Sequence, residues 1–109
     1  ASDVYKRQAQ RSAYMGVGLA GRTFAQLGVG NIGAEICRLV KPFDMRLIAR
    51  DPYCAPGLAR ELGLELVDLE TLFRQADFLS VSVPLNETTR GIVNAERLAL
   101  MKPTAFLIN

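Results

Sequence analysis

Gly28-Val29-Gly30-Asn31-Ile32-Gly33 decides how this chain folds. The hexapeptide follows Thr23-Phe24-Ala25-Gln26-Leu27, which reads as a strand, and opens Ala34-Glu35-Ile36-Cys37-Arg38-Leu39-Val40, which reads as a helix. In a strand–turn–helix unit of the form G-x-G-x-x-G, the first glycine makes the tight bend and the second lets a ligand's pyrophosphate approach the backbone. The third lets the helix pack close on the strand. Free N–H groups at Asn31 and Ile32, at the positive end of the helix dipole, then face phosphate. Asp51 stands eighteen residues after Gly33, at the end of the next strand-like run, where a carboxylate can take the hydroxyls of an adenosine ribose. Gly28, Gly30, Asn31, Ile32, Gly33 and Asp51 together read as a dinucleotide site. The same glycine turn without a ligand would need no acid at that spacing.

A second stretch, Gly16-Val17-Gly18-Leu19-Ala20-Gly21, has the same spelling and fails on context. No strand-like run precedes it, a strand rather than a helix follows it, and the position eighteen residues on is Leu39. Extended through Arg22-Thr23 it imitates a P-loop, but arginine stands where lysine should reach the phosphates, and no helix follows. It reads as a connector. Residues 1–8 are polar and read as a non-native tail outside the fold, 9–21 as the connector, and 22–109 as a partial dinucleotide-binding domain.

From Thr23 onward short apolar runs alternate with helical periods. A helix is expected over about 32–42 with Ile32, Ile36, Leu39 and Val40 as its apolar face, ended by Pro42 and a left-handed Asp44. A strand over 45–49 leads to Arg50-Asp51-Pro52, where proline keeps Asp51 extended at the strand's carboxyl end. A helix over 55–62 closed by Gly63, a strand over 64–67 and a helix capped by Asp68 follow. Phe78 to Val83 suits a strand buried on both faces and stopped by Pro84; Asn94 caps a helix to about Met101, and 104–108 is a further strand. Repeated β-α-β alternation gives a parallel sheet with right-handed crossovers and helices on both faces. Gln26 sits badly in this scheme, since an amide in the central strand has to find partners.

The 109 residues are half hydrophobic, enough for one core. A net charge of +2, scattered along the chain, points to neither nucleic acid nor a membrane surface, and no apolar run is long enough to span a bilayer. Cys37 and Cys54 have no C-x-x-C spacing and read as free thiols of a reducing cytoplasm. No cluster with metal-ligand spacing occurs. Histidine is absent, and no nucleophile stands with a paired base, so no catalytic residue is assigned.

With these residues in place, the chain resembles the D-isomer-specific 2-hydroxyacid dehydrogenase family from about Leu19 to Asn109. The resemblance is carried by Gly21-Arg22-Thr23, the glycine turn, Lys41-Pro42-Phe43 through Asp51-Pro52-Tyr53, and Ala76-Asp77-Phe78. It continues in Val83-Pro84-Leu85-Asn86-Glu87-Thr88-Thr89-Arg90-Gly91 and in Met101-Lys102-Pro103 through Leu107-Ile108-Asn109. It implies a Rossmann-type doubly wound parallel sheet, truncated at its C-terminal end and therefore marginally stable, with NAD as cofactor. Val83 and Pro84 would line the cofactor cleft; Thr89 matches a family threonine that is either a cofactor contact or a turn hydroxyl. The parent protein would move a hydride between NAD and a small D-2-hydroxy or 2-oxo acid, as a homodimer. Its catalytic arginine, acid and histidine would follow Asn109. Asp51 favours NAD over NADP by repelling a 2′-phosphate, against which the neighbouring Arg50 is the competing feature. Three residues depart from the family pattern: Gln26 for an apolar residue, Asp44 for glycine and Glu87 for proline. An NAD-sensing or corepressor-type domain of the same fold, and a ligand-free structural domain, are the alternatives.

Overall fold

The computed structural model describes residues 18–83 and 91–108. The tail 1–8, most of the connector, and Pro84, Glu87 and Thr89 lie outside the described residues. Five strands form one parallel sheet: β1 (Thr23–Leu27), β2 (Arg46–Arg50), β3 (Glu65–Leu66), β4 (Phe78–Val81) and β5 (Phe106–Ile108), in the spatial order β3-β2-β1-β4-β5. Among the described residues four α-helices lie between them: α1 (Asn31–Val40), α2 (Pro56–Leu62), α3 (Leu69–Gln75) and α4 (Ala95–Leu98). The order reverses between β1 and β4, and in open α/β sheets ligands collect at the carboxyl edge of that switch point.

β1 is buried along its whole length because both of its faces are covered. Phe24, with Leu47 and Ala49 of β2, packs beneath α1 and α2 in a cluster that includes Ala34, Cys37, Ala59 and Leu62. On the opposite face Ala25, Leu27, Ile48 and Leu79 meet Leu72, Phe73 and Ala76 of α3 and its end. Burying side chains such as Phe73 and Leu72 contributes roughly 1.5–3 kcal/mol each.

Local signals hold where backbone chemistry sets them. Pro56 opens α2, and Gly63 closes it at φ 71°, with the Leu64 amide donating back to the Ala59 carbonyl at 2.8 Å. Asp68 accepts from the Thr71 amide and Asn94 from the Arg97 amide, each capping its helix. Asp44 adopts φ 57° after a 3-10 turn over Lys41–Phe43, so the left-handed conformation is carried by a residue that tolerates it less well than glycine.

Several expectations need correction. α1 ends at Val40 and the 3-10 turn takes its last residues; β4 ends at Val81, α4 at Leu98, and β5 begins at Phe106. The buried stripe of α1 is Gly33, Ala34 and Cys37, flanked by the half-buried Ile36 and Val40 as expected, whereas Ile32 and Leu39 are 71% and 65% exposed. The core-facing side is thus centred on Gly33, Ala34 and Cys37 rather than on Ile32 and Leu39. The close approach of α1 to the glycine turn selects small residues there. In β4, Leu79 and Ser80 are buried but Phe78 and Val81 only half so; Phe78 stacks on Phe106 of β5, ring centroids 5.2 Å apart.

At the amino end of the sheet Asp77 joins three strands. Its carboxylate accepts from the Thr23 amide at 2.8 Å and from Lys102 Nζ at 3.1 Å, and its own carbonyl accepts from the Phe106 amide. Burial pushes this carboxyl up, but the Thr23 amide, Lys102 and Arg22 outweigh it and hold it below the ordinary 3.8. A carboxyl depressed in the folded state contributes stability that is present above 3.8 and lost as pH falls through and below that value. Asp77→Asn is therefore expected to flatten the acid limb of a stability-against-pH curve measured by urea denaturation. An acid limb identical to wild type would refute this role.

Candidate functional site

The turn after β1 is built by contacts that only glycine permits at two of its three positions. Gly28 has φ 93°, and a Cβ there would lie 2.8 Å from both the Ser82 carbonyl oxygen and Val83 Cγ1. A Cβ on Gly33 would lie 2.2 Å from the Gly28 carbonyl oxygen. The protein itself demands these two glycines. Gly30 differs: its φ is −85°, open to any residue, and a Cβ there would meet nothing within 4 Å. The side chain missing at Gly30 leaves space above the start of α1 rather than relieving a clash within the chain.

That space is lined by unpaired donors. Gly30 is the N-cap of α1 without a side-chain cap, and no acidic residue stands in the first turn. Among the described residues the N–H groups of Asn31, Ile32 and Gly33 have no hydrogen-bond acceptor, and the first amide tied into the helix is that of Ala34, which donates to Gly30 O at 2.8 Å. Ten residues of helix aim their dipole at the same point.

Asp51 supplies the opposite charge beside it. Register pairs Leu27 with Arg50, so the next residues, Gly28 and Asp51, stand side by side, and the Gly28 amide donates to the Arg50 carbonyl at 3.0 Å. The Asp51 carboxylate turns toward the glycine turn: Oδ2 accepts from the Val29 amide at 2.7 Å and Oδ1 from the Tyr53 amide at 2.9 Å. An ionised carboxylate has about four acceptor positions, which leaves two for hydroxyl donors. Tyr53, 91% exposed, stands two residues beyond. Strand alternation sends Arg50 to the other face with Ile48, where its guanidinium acts on Asp68, whose carboxyl is held low first by the Thr71 amide and hydroxyl. It is Asp51, not Arg50, that faces the turn.

Gln26 has found one partner of the two it needs. Fully buried on the α1 face between Ala49 and Ser80, it donates from Nε2 to the Gly28 carbonyl at 2.9 Å, while Oε1 has no partner among the described residues. A buried acceptor left so costs about 1–3 kcal/mol. Its polarity in a central strand marked it in the sequence, but the Gly28 contact needed coordinates. Val83 packs against Gly28. Neither thiol is a poised nucleophile. Burial and the neighbouring Cys54 push Cys37 up to about 11 against Arg38, and burial and Asp51 raise Cys54.

The NAD binding domain description of the D-isomer specific 2-hydroxyacid dehydrogenases matches residues 1–109. The chain belongs to that family. A hydroxypyruvate reductase of Thermotoga maritima is 42% identical over 100 residues, covering 92% of this chain and 32% of that protein. A D-3-phosphoglycerate dehydrogenase of Synechocystis sp. is 38% identical, over 92% of this chain and 18% of its own length. The structure of Salmonella D-lactate dehydrogenase superposes with a TM-score of 0.80 at 33% identity, over 96% of this chain and 34% of the other. The chain thus spans between about a sixth and about a third of the length of the proteins it matches, and within the family it is an NAD-binding, Rossmann-type domain. Its residues fit that cofactor: free amides and an open glycine suit a diphosphate, and the inward carboxylate suits a ribose. No helix among the described residues is long and apolar enough to cross a membrane.

Proposed function

We propose that this chain is the cofactor-binding part of a cytoplasmic, homodimeric oxidoreductase that moves a hydride between NAD and a small D-2-hydroxy acid, or the reverse with the 2-oxo acid. Nucleic acid and membrane have no place in this reading. The observation that carries it is that the Asp51 carboxylate is bonded to the glycine turn at Val29, with the open Gly30 and the unpaired α1 amides following directly. The amides of Asn31 and Ile32 hold the diphosphate, Gly28 and Gly33 shape the turn, Asp51 holds the adenosine ribose, and Val83 packs the crevice wall. Pro84 and Thr89, carried over from the family resemblance, belong to the same assignment.

Bound NAD supplies the hydride acceptor or donor. This chain's residues bind and orient it; with no histidine among them, the histidine that moves the proton in the family resemblance is not supplied here. Calorimetric titration of the chain with NAD tests the reading. Saturable one-to-one binding that weakens with added salt is expected, because charge pairing dominates at the diphosphate. Absence of binding at millimolar NAD would refute it.

A further inference from the structure

We propose that Gln26 is a positioning residue for the diphosphate seat, acting through one peptide group that it and Asp51 clamp from opposite ends. The proposal rests on the nucleotide reading above. The carbonyl of Gly28 and the N–H of Val29 belong to the same peptide plane. Gln26 Nε2 donates to its oxygen at 2.9 Å, and its N–H donates to Asp51 Oδ2 at 2.7 Å. A plane held at both its oxygen and its hydrogen cannot rotate without breaking a bond. It needs such holding because Gly28, at φ 93°, has no side chain to restrict it. The amides of Asn31, Ile32 and Gly33 follow directly, so the direction in which they emerge depends on this plane.

The fold accounts for half of the amide, since Nε2 serves the buried Gly28 carbonyl, but not for Oε1. Gln26 is fully buried in β1 with Oε1 unpartnered, and an apolar side chain would avoid the cost of that acceptor. The side chain's one hydrogen bond among the described residues goes to the turn. A turn ordered before the ligand arrives leaves less entropy to be lost on binding. In this chain a polar residue in the central strand trades fold stability for order in the ligand seat.

Gln26→Met tests this, since it keeps the volume while removing both the Gly28 bond and the orphaned Oε1. The midpoint of thermal unfolding is expected to stay within a few degrees of wild type, because removing the orphaned Oε1 is offset by leaving the buried Gly28 carbonyl without its donor. In the ligand-free chain, hydrogen exchange of the Val29 amide is expected to quicken by about 3- to 10-fold, and the Kd for NAD to rise by a similar factor, as loss of one hydrogen bond implies. Affinity for adenosine, which has the ribose but no phosphate, is expected to hold. Gln26→Asn, one methylene too short to reach Gly28, is expected to match the methionine variant. Unchanged Val29 exchange and NAD affinity would overturn the proposal, as would an equal loss for adenosine and NAD. Wild-type chain that binds no NAD would sink the nucleotide reading and the seat with it, whereas the exchange measurement separately reports whether the clamp exists.

Discussion

Gly33→Ala is expected to melt at least about 10 °C below wild type, while Gly30→Ala melts with wild type yet binds NAD at least about tenfold more weakly. The two glycines lie three residues apart in one turn, and the difference between them is geometric. At Gly33 the new methyl would sit 2.2 Å from the Gly28 carbonyl oxygen, a backbone atom that Gln26 also holds. α1 would have to lift off β1, opening the cluster around Ala34 and Cys37. Overpacking of this kind costs about 1–3 kcal/mol and more where backbone has to move. At Gly30 the methyl meets nothing within 4 Å and φ is ordinary, so the fold has no stake in it. Its only neighbour would be a ligand lying across the helix start. Differential scanning calorimetry with NAD titration on both variants checks the pair. A Gly30→Ala chain that binds NAD as tightly as wild type would show that the open space is not the diphosphate seat.

That contrast also marks how far the sequence could be read. The glycine turn, the αL residue Asp44, the caps Asp68 and Asn94 and the Gly63 stop were legible because each is set by bonds within a few residues. The parallel sheet followed from the alternation of runs, since a βαβ crossover has one accessible hand. The inward face of α1 was only partly legible. Of Ile32, Ile36, Leu39 and Val40, only Ile36 and Val40 pack against the core, beside Gly33, Ala34 and Cys37, and where the inward face is centred rests on the distance between helix and turn, a tertiary quantity. Strand ends moved because pairing stops where a partner stops. Asp77 stood in a recognisable motif, but its binding of Thr23 and Lys102 joins residues 54 and 25 positions away. Gln26 was visible as an anomaly, and its partner was a turn carbonyl two residues on, reachable only once the turn is folded.

Asp51→Ala is expected to weaken NAD by about 10- to 100-fold and to narrow the preference for NAD over NADP. Two losses add. The ribose loses a charged acceptor, worth about 1.5–3 kcal/mol, and the Val29 amide loses the carboxylate that holds the turn at 2.7 Å. NADP is affected differently, because the same carboxylate repels a 2′-phosphate; removing it loosens the turn but lifts the repulsion. Arg50 does not take over, since it lies on the opposite face of the sheet near Asp68. Asp51→Asn separates the two losses. It removes the charge yet keeps an oxygen that can accept from Val29, so it should relieve NADP repulsion as fully as alanine while losing less affinity for NAD. Titrating both nucleotides into wild type and the two variants decides the matter. An NAD-to-NADP affinity ratio unchanged in Asp51→Ala would remove Asp51 from the ribose and leave it as a latch on the glycine turn alone.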